Sequence, residues 1–194
     1  MEQADTDVQL MSRVAAGDQS ALGELLATHG ERIYRYALRL TQDNGIAEET
    51  ANDVALEVWR SARRFRGEAR VSTWLLGITR YKAFNAMRGS QRLSYAADVD
   101  QEAAAEAAET FVLDSATERA RLKAVLRQTL RRLSAEHRDV LELTFFHERT
   151  YAEIAAIVGC PAATVRTRMH YAKRALRRAL QEQTPAVLEL IGRQ

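Results

Sequence analysis

Hydrophobic residues recur at intervals of three and four along most of this chain, a spacing that places them on one face of an α-helix. The pattern predicts four helices in the first half, over residues 5–16, 19–41, 46–64 and 72–88. Further helices are predicted over residues 115–133 and 134–145, and a helical pair over 150–180. Because only two prolines and nine glycines interrupt this pattern, the chain is predicted to be all-α.

Turn and cap residues set the expected helix ends in the first half. Asp43-Asn44-Gly45 is a turn signal, which makes the third helix begin near Ile46. Glu48 and Glu49 then fall in its first turn, where the helix dipole favours negative charge. The apolar faces are expected to include Val8 in the first helix and Phe145 in the helix that begins after Ser134.

Residues 93–114 lack this periodicity and carry six acidic residues among alanines. Such a composition is typical of a flexible linker. The sequence therefore predicts two small helical domains joined by a flexible acidic linker. The expected boundaries are 1–92 for the first domain, 93–114 for the linker, 115–182 for the second domain and 183–194 for a C-terminal tail.

The net charge is only +2, but it is unevenly distributed. Residues 1–59 carry −7, residues 60–92 carry +8, residues 93–118 carry −7 and residues 119–194 carry +8. Two basic blocks separated by an acidic segment indicate two contacts with nucleic acid, joined by a stretch that avoids DNA.

The second basic block contains the pattern of a helix-turn-helix. Thr150 and Glu153 form a capping box, Gly159 suits a left-handed helix end, and Pro161 suits the start of the next helix. The second helix places Val165, Met169, Ala172 and Leu176 on one side and basic, hydroxyl and aromatic residues on the other. This outer face can hold phosphates and read base edges in a major groove. The alternative is an ordinary helical hairpin with a solvated charged face.

The first basic block combines charge with aromatic residues. The helix over 72–88 is expected to leave Arg80, Tyr81, Lys82, Asn85 and Arg88 on its outer side, with Trp74 turned inward. Basic side chains can follow a nucleic-acid backbone while rings stack on exposed bases. This block therefore favours contact with single-stranded nucleic acid.

Several classes of protein are disfavoured by the composition. One cysteine permits no intramolecular disulfide, and with four histidines it gives no zinc-ligand spacing, so we expect no metal and no cofactor. No nucleophile–base pair or phosphate-binding glycine loop is recognisable, so no catalytic residues and no small-molecule substrate are expected. No signal peptide or membrane-spanning stretch is present, so we expect a cytoplasmic location without membrane insertion.

The chain resembles the extracytoplasmic-function (ECF) sigma factors, which are transcription-initiation subunits of bacterial RNA polymerase. In the first domain the resemblance rests on Ile33-Tyr34-Arg35-Tyr36-Ala37-Leu38-Arg39-Leu40, Ala47-Glu48-Glu49, Glu57-Val58-Trp59-Arg60, Phe65-Arg66-Gly67 and Thr73-Trp74-Leu75. In the second domain it rests on Leu133-Ser134-Ala135-Glu136-His137-Arg138-Asp139-Val140-Leu141, Tyr151-Ala152-Glu153-Ile154-Ala155 and Thr164-Val165-Arg166-Thr167-Arg168-Met169. The resemblance covers nearly the whole chain, and it rests on the order and spacing of these pieces.

The resemblance implies a function for each domain. The first, region 2, would bind the clamp of core RNA polymerase and would melt and read the −10 promoter element. The second, region 4, would read the −35 element as duplex DNA. The implied partners are the beta and beta-prime subunits of core RNA polymerase, promoter DNA, and an anti-sigma factor that holds the protein inactive. The polymerase would carry out the chemistry, so the chain itself is not expected to be an enzyme.

The resemblance also implies particular site residues. Contacts with core polymerase fall on Glu49, Asn52, Asp53 and Glu57, where Asn52 and Asp53 are shorter than the Gln-Glu common in the family. Contacts with the −10 element fall on Phe65, Arg66, Arg80, Tyr81, Lys82, Asn85 and Arg88. Contacts with the −35 element fall on Ala163, Thr164, Arg166, Thr167, Arg168, His170, Tyr171, Lys173 and Arg174. Phe65 has an equal alternative as a core residue at the end of its helix.

Two other functions are compatible with parts of the pattern. A stand-alone helix-turn-helix regulator would explain the second domain, but it leaves the acidic face of the third helix and the first basic block unexplained. A helical adaptor that mimics a sigma factor and binds only protein would predict a degraded recognition helix. Four basic residues between Arg166 and Arg174 argue against that mimic.

Overall fold

The structure is a computed structural model that describes residues 2–97, 128–130 and 132–182. Within these ranges the regular structure is helical, and residues 128–130 are a short helical piece. The helices are α1 (Glu2–Ala15), α2 (Gln19–Thr41), α3 (Asn44–Ser61), α4 (Val71–Ala97), α5 (Ala135–Phe145), α6 (Tyr151–Val158) and α7 (Ala162–Glu182), with a 3-10 turn at Ala62–Arg64. The prediction of an all-α chain with two helical domains is confirmed.

Helices α1–α4 form the first helical unit. Its core is built from the apolar faces that the periodicity predicted, and Leu25, Ile33, Val54, Val58 and Leu75 are among its buried members. Val8 was predicted for this face but is half exposed. The placement of Val8 was therefore wrong, because α1 packs through the side that carries Leu10, Met11 and Val14.

Side-chain caps define the helix starts in this unit. Asp18 accepts a hydrogen bond from the Ala21 backbone N–H at 3.1 Å and so begins α2. Asp43 accepts from the Ile46 N–H at 2.8 Å, so α3 begins at Asn44. The prediction of a turn at residues 43–45 was therefore wrong, because Asp43 acts as an N-cap residue. Glu48 and Glu49 consequently lie beyond the first turn.

Helix α4 extends further than predicted, to Ala97. The predicted boundary between the first domain and the linker, at residues 92–93, therefore falls inside a helix. The rest of the predicted linker, most of the predicted helix over 115–133 and the C-terminal tail over 183–194 lie outside the described residues.

Helices α5–α7 form the second helical unit. Ser134 caps α5 by accepting from the His137 N–H at 3.3 Å. Val140, Leu143, Ile154, Val165 and Met169 are buried in its core. Phe145 was predicted to lie on the apolar face but is 60% exposed. It is the last residue of α5, where the chain turns away from the core.

The two helical units pack against each other. Helix α2 contacts α5, and α4 contacts α6. Tyr36, Leu40, Leu76 and Ala83 of the first unit belong to the same buried cluster as the core of the second unit. This contact decides which of the predicted site residues face solvent and which face the other unit.

Candidate nucleic-acid interface

The helix-turn-helix begins with a complete capping box. The Thr150 hydroxyl accepts from the Glu153 N–H at 3.3 Å, and the Glu153 carboxylate accepts from the Thr150 N–H at 2.9 Å. Burial alone would raise the pKa of Glu153, but the Thr150 N–H and hydroxyl together with Arg149 lower it to about 2. Glu153 is therefore ionised at neutral pH and holds the start of α6 in place.

The turn between α6 and α7 has the predicted chemistry. Gly159 has a φ of +69°, a left-handed conformation that a side chain would strain, and its N–H donates to the Ala155 carbonyl at 2.9 Å. Cys160 is half-buried against the core of the second unit. The Pro161 carbonyl accepts from the Thr164 N–H at 2.9 Å, so Pro161 directly precedes α7.

Helix α7 separates its apolar and basic residues. Val165, Met169 and Ala172 are buried, and Leu176 is half-buried against the same core. The predicted −35 residues lie on the opposite side. Thr164 and Arg168 are half-buried, and the exposed members are Ala163, Arg166, Thr167, His170, Tyr171, Lys173 and Arg174. This face projects donors that can contact phosphates and base edges together.

The predicted −10 residues of α4 are divided between solvent and the second unit. Tyr81 is 64% exposed, and Arg88 is exposed beside Asn85, to which it donates a hydrogen bond. Lys82 pairs with Glu57 of α3 at 3.1 Å. The placement of Arg80 on the outer side was wrong, because its Nε donates to Asp139 of α5 at 2.6 Å.

The loop between α3 and α4 leaves Arg66 exposed and Phe65 half-buried. The Phe65 ring packs against Trp74, with 5.5 Å between ring centroids, and both rings border the core of the first unit. This packing favours the alternative in which Phe65 is a core residue at the end of its helix. Arg66 lies 3.5 Å from Glu68, and both side chains are exposed. Because an exposed ion pair is weak, Arg66 is available to an approaching phosphate.

The acidic face of α3 is open to solvent. Glu49, Asn52 and Asp53 are exposed, and Glu57 is half-buried at the edge of this face. Leu56, which the sequence analysis did not select, is 53% exposed between them. This face therefore presents carboxylate and amide groups around one exposed apolar side chain.

An open cleft of about 640 Å³ lies between α3, α4 and α6. It brings Glu57, Tyr81 and Lys82 next to Ala156 and Ile157 of the second unit. Residues predicted to contact polymerase and the −10 element therefore share one cleft with the helix-turn-helix.

Charged groups that the sequence analysis missed hold the two units together. The carboxylate of Asp139 accepts from the Tyr36 hydroxyl at 2.5 Å and from Arg80 at 2.6 Å, and Arg39 Nη1 donates to Glu142 at 2.6 Å. Burial raises the pKa of Asp139, while Arg80 and the Tyr36 hydroxyl act in the opposite direction.

Arg149 adds a further contact between the units. It donates to Ser72 Oγ at 3.2 Å and to Thr73 Oγ1 at 3.3 Å, both at the start of α4. Thr73 in turn donates to Glu153 at 3.2 Å, which links this contact to the capping box. We call the contacts of Asp139, Glu142 and Arg149 with the first unit the closing contact.

His147 is buried beside the closing contact in its neutral form. Burial, and then the positive charges of Arg32, Arg149 and Arg39, lower its pKa to about 4. The 3.7 Å separation between His147 Nε2 and Glu142 is therefore not an ion pair at neutral pH. The imidazole instead meets the Tyr36 ring edge-on, with 5.0 Å between centroids.

The described residues contain no group of three or more histidine, cysteine or acidic side chains that could hold a metal ion. None of the described helices is both long and apolar enough to cross a membrane.

Comparison with known proteins gives the same division of the chain. The Sigma-70 region 2 family matches residues 25–93, and the Sigma-70 region 4 family matches residues 129–178. The first match covers α3 and most of α2 and α4, and the second covers α5, α6 and most of α7.

Relatives align along almost the whole chain. The ECF RNA polymerase sigma factor SigL of Mycobacterium tuberculosis is 31% identical over 173 residues, which are 89% of this chain and 96% of SigL. The RNA polymerase sigma-H factor of Pseudomonas aeruginosa is 32% identical over 187 residues, 91% of this chain and 95% of that protein.

Solved structures share the fold. CnrH, in complex with the cytosolic domain of CnrY, superposes with a TM-score of 0.67 at 23% identity, covering 92% of this chain and 99% of CnrH. The sigma factor RpoE from Bartonella quintana, in complex with the anti-sigma factor NepR, superposes with a TM-score of 0.64 at 23% identity. The superposition covers 82% of this chain and 96% of RpoE. The chain therefore belongs to the ECF sigma factors, transcription-initiation factors that bind core RNA polymerase and direct it to promoters.

Proposed function

We propose that this sigma factor reads the −35 element with the exposed face of α7. The observation that carries the proposal is the division of α7 into two sides. Val165, Met169 and Ala172 are buried, and this anchors the helix, while Arg166 and Arg174 project from the opposite side with other donors between them. A guanidinium can bind a guanine edge through two hydrogen bonds, a contact worth about 1–3 kcal/mol of discrimination.

The proposal assigns the −10 element to α4 and the preceding loop. Tyr81, with 64% of its surface exposed, supplies a ring that can stack on an unpaired base. Arg66 and Arg88 are exposed and supply positive charge on either side of it. Arg80 joins this surface only when it is released from Asp139.

The proposal assigns core-polymerase binding to the open face of α3. Glu49, Asn52 and Asp53 present carboxylate and amide groups around the exposed Leu56. This combination suits a basic, partly apolar surface on the polymerase clamp. The polymerase supplies the chemistry, and the sigma factor acts with it in the cytoplasm.

An anti-sigma factor is the proposed inhibitor. The sigma factor RpoE, which shares this fold, was solved with the anti-sigma factor NepR bound, and CnrH was solved with the cytosolic domain of CnrY bound. In this chain, the exposed face of α3 and the cleft beside α6 would be the surfaces covered. A bound inhibitor should then lower the affinity for core polymerase, and Leu56→Asp should weaken the inhibitor and core polymerase alike.

The −35 assignment is tested with holoenzyme and duplexes that carry matched or mismatched −35 sequences. Arg168→Ala should weaken binding to the matched duplex by about tenfold or more and leave the mismatched duplex almost unchanged. Lys173→Ala should weaken both duplexes equally and reduce the salt dependence, as expected for a phosphate contact. Arg35→Ala removes an exposed arginine of α2 and serves as the matched control. Equal weakening of both duplexes by Arg168→Ala would refute base reading by this residue.

A further inference from the structure

The first helix, α1, contacts both the 3-10 turn and α4, which are the two ends of the loop over residues 65–70. We propose that α1 positions this loop for reading the −10 element, and that Arg63 is the residue through which it does so. Arg63 is a positioning residue in this role and not a base contact. The inference deepens the proposed function, because it uses the assignment of Phe65 and Arg66 to the −10 element.

The Arg63 guanidinium caps the end of α1. Its Nε donates a hydrogen bond to the Ala15 carbonyl at 2.9 Å, although 48 positions separate the two residues in the chain. The two preceding carbonyls of α1 accept from backbone N–H groups of the turn that follows the helix. Carbonyls at a helix C-terminus lack partners within the helix, and the helix dipole favours a cation there. Arg63 therefore ties the 3-10 turn to α1.

Apolar packing holds both ends of the loop on α1. The buried apolar residues of α1 are Leu10, Met11 and Val14. They belong to one buried cluster with Ala62 of the 3-10 turn and with Val71, the first residue of α4. The loop residues between these two ends are largely exposed. The loop therefore has a fixed base and an open tip.

A buried polar pair fixes the position of α1 on α2. The Asp7 carboxylate of α1 lies 2.9 Å from His29 Nε2 of α2, and each residue is 5% exposed. A buried polar group that loses its partner is costly, so displacement of α1 along α2 is penalised. Asp7 lies about 12 Å along the helix from Ala15, at about 1.5 Å per residue. The pair therefore holds α1 in place at a distance from the Arg63 contact.

The position of the loop base determines where the predicted −10 residues lie. Phe65 directly follows the 3-10 turn, and its N–H donates to the Ala62 carbonyl at 3.1 Å. Displacement of the turn is therefore passed on to Phe65 and Arg66. Base reading needs groups at defined positions, whereas phosphate contacts carry no sequence information. Loss of the Arg63 contact should therefore reduce selection of the −10 sequence more than overall affinity for DNA.

The first test measures loop mobility in the free protein. A spin label at Glu68→Cys, an exposed loop position, in a Cys160→Ala background reports local motion by electron paramagnetic resonance. Arg63→Ala should narrow the spectral lines relative to the parent. Arg63→Lys keeps a donor for the Ala15 carbonyl and should restore the parental spectrum. Arg64→Ala removes the neighbouring exposed arginine and is the matched control, which should leave the spectrum unchanged.

The second test measures transcription by holoenzyme from promoters that differ only in the −10 sequence. Arg63→Ala should lower the ratio of matched to mismatched transcription by about fivefold, which is the smaller cost of one mismatched base. The ratio for −35 mismatches and the salt dependence should stay parental, because no phosphate contact is lost. Arg63→Lys should restore the −10 ratio, and Arg64→Ala should leave it unchanged.

A variant at the buried pair tests α1 without altering Arg63. Asp7→Asn weakens the docking of α1 on α2 and should lower the −10 ratio in the same direction as Arg63→Ala. The double variant should lose less than the two single effects combined, since both act through one contact. Circular dichroism shows that each variant is folded at the assay temperature. His29→Gln perturbs the same pair from α2 and replaces Asp7→Asn if that variant does not fold.

The outcomes separate the positioning role from the proposed function. Equal weakening of both promoters by Arg63→Ala, with a flatter salt dependence, would make Arg63 a phosphate contact and overturn positioning. An unchanged spectrum for Arg63→Ala would also overturn it, as would a lower melting temperature for Asp7→Asn with an unchanged −10 ratio. Absence of −10 selection in the parent would instead overturn the proposed assignment of the loop, whatever the spectra show about its mobility.

Discussion

Acidification tests how His147 is held between the two helical units. Its ring nitrogens are buried without a hydrogen-bond partner among the described residues, and Arg32, Arg149 and Arg39 add positive charge around it. Protonation would therefore place a buried positive charge beside three arginines, and the nearby Glu142 carboxylate, 3.7 Å from Nε2, is already paired with Arg39. Denatured chains protonate this imidazole near its ordinary pKa of 6.5, whereas the folded protein does so only near pH 4.

The sign and size of the effect follow from these two values. Between pH 6.5 and 4 the unfolded chain binds more protons at His147 than the folded protein does. The contribution of His147 to the free energy of unfolding is therefore fully present above pH 6.5 and is lost as the pH falls toward 4. At pH 5.5 the linkage relation gives a loss of about 1 kcal/mol relative to pH 8. Burial raises the pKa values of Asp139 and Glu142, and these groups act in the opposite direction at lower pH.

Comparison with His147→Gln isolates the effect of His147 protonation on the free energy of unfolding. Urea denaturation, followed by circular dichroism at pH 8 and pH 5.5, gives the free energy of unfolding of both proteins. The parent should lose about 1 kcal/mol more than the variant on acidification, since the other titrating groups are common to both. An equal loss in the two proteins would show that His147 titrates normally, and would refute its buried, neutral placement.

Two further predictions concern the helix-turn-helix. Thr150→Ala removes the side-chain cap of α6 and should lower the free energy of unfolding by about 1 kcal/mol, measured by urea denaturation. Ser20→Ala, which removes an exposed hydroxyl with no described hydrogen bond, is its control, and equal effects would contradict a role for the capping box. Met169→Ala opens a cavity under α7 and should cost about 2–5 kcal/mol. A melting temperature within a degree of the parent would show that α7 is not anchored there.

Features encoded over a few residues were predicted correctly. The Thr150–Glu153 capping box, the left-handed Gly159 and the limits of α2 are each set by neighbours in the sequence, and the structure confirms all three. The apolar spacing of Val165, Met169 and Ala172 likewise fixed which side of α7 is buried.

Features that depend on contact between distant segments were not predicted. Arg80 reads as an exposed basic residue because its partner, Asp139, lies 59 positions away in the chain. Asp139 and Glu142 were not singled out from the sequence, although both are buried and contact the first unit. Their spacing on the same side of α5 as Leu143 was the available signal, but periodicity does not reveal which surface a charged residue will meet. The contacts of the individual site residues with DNA and polymerase stay predictions.

Promoter selection by core polymerase carrying this sigma factor shows whether the chain directs the polymerase to specific promoters. The purified protein is mixed with sigma-free bacterial core polymerase and a library of random promoter sequences, and the run-off transcripts are sequenced. We expect discrete start sites that share −10 and −35 sequences, with the shared −35 sequence altered or lost for Arg168→Ala. Duplex binding without core-dependent transcription would contradict this expectation, and would identify the chain as a DNA-binding protein that does not direct the polymerase.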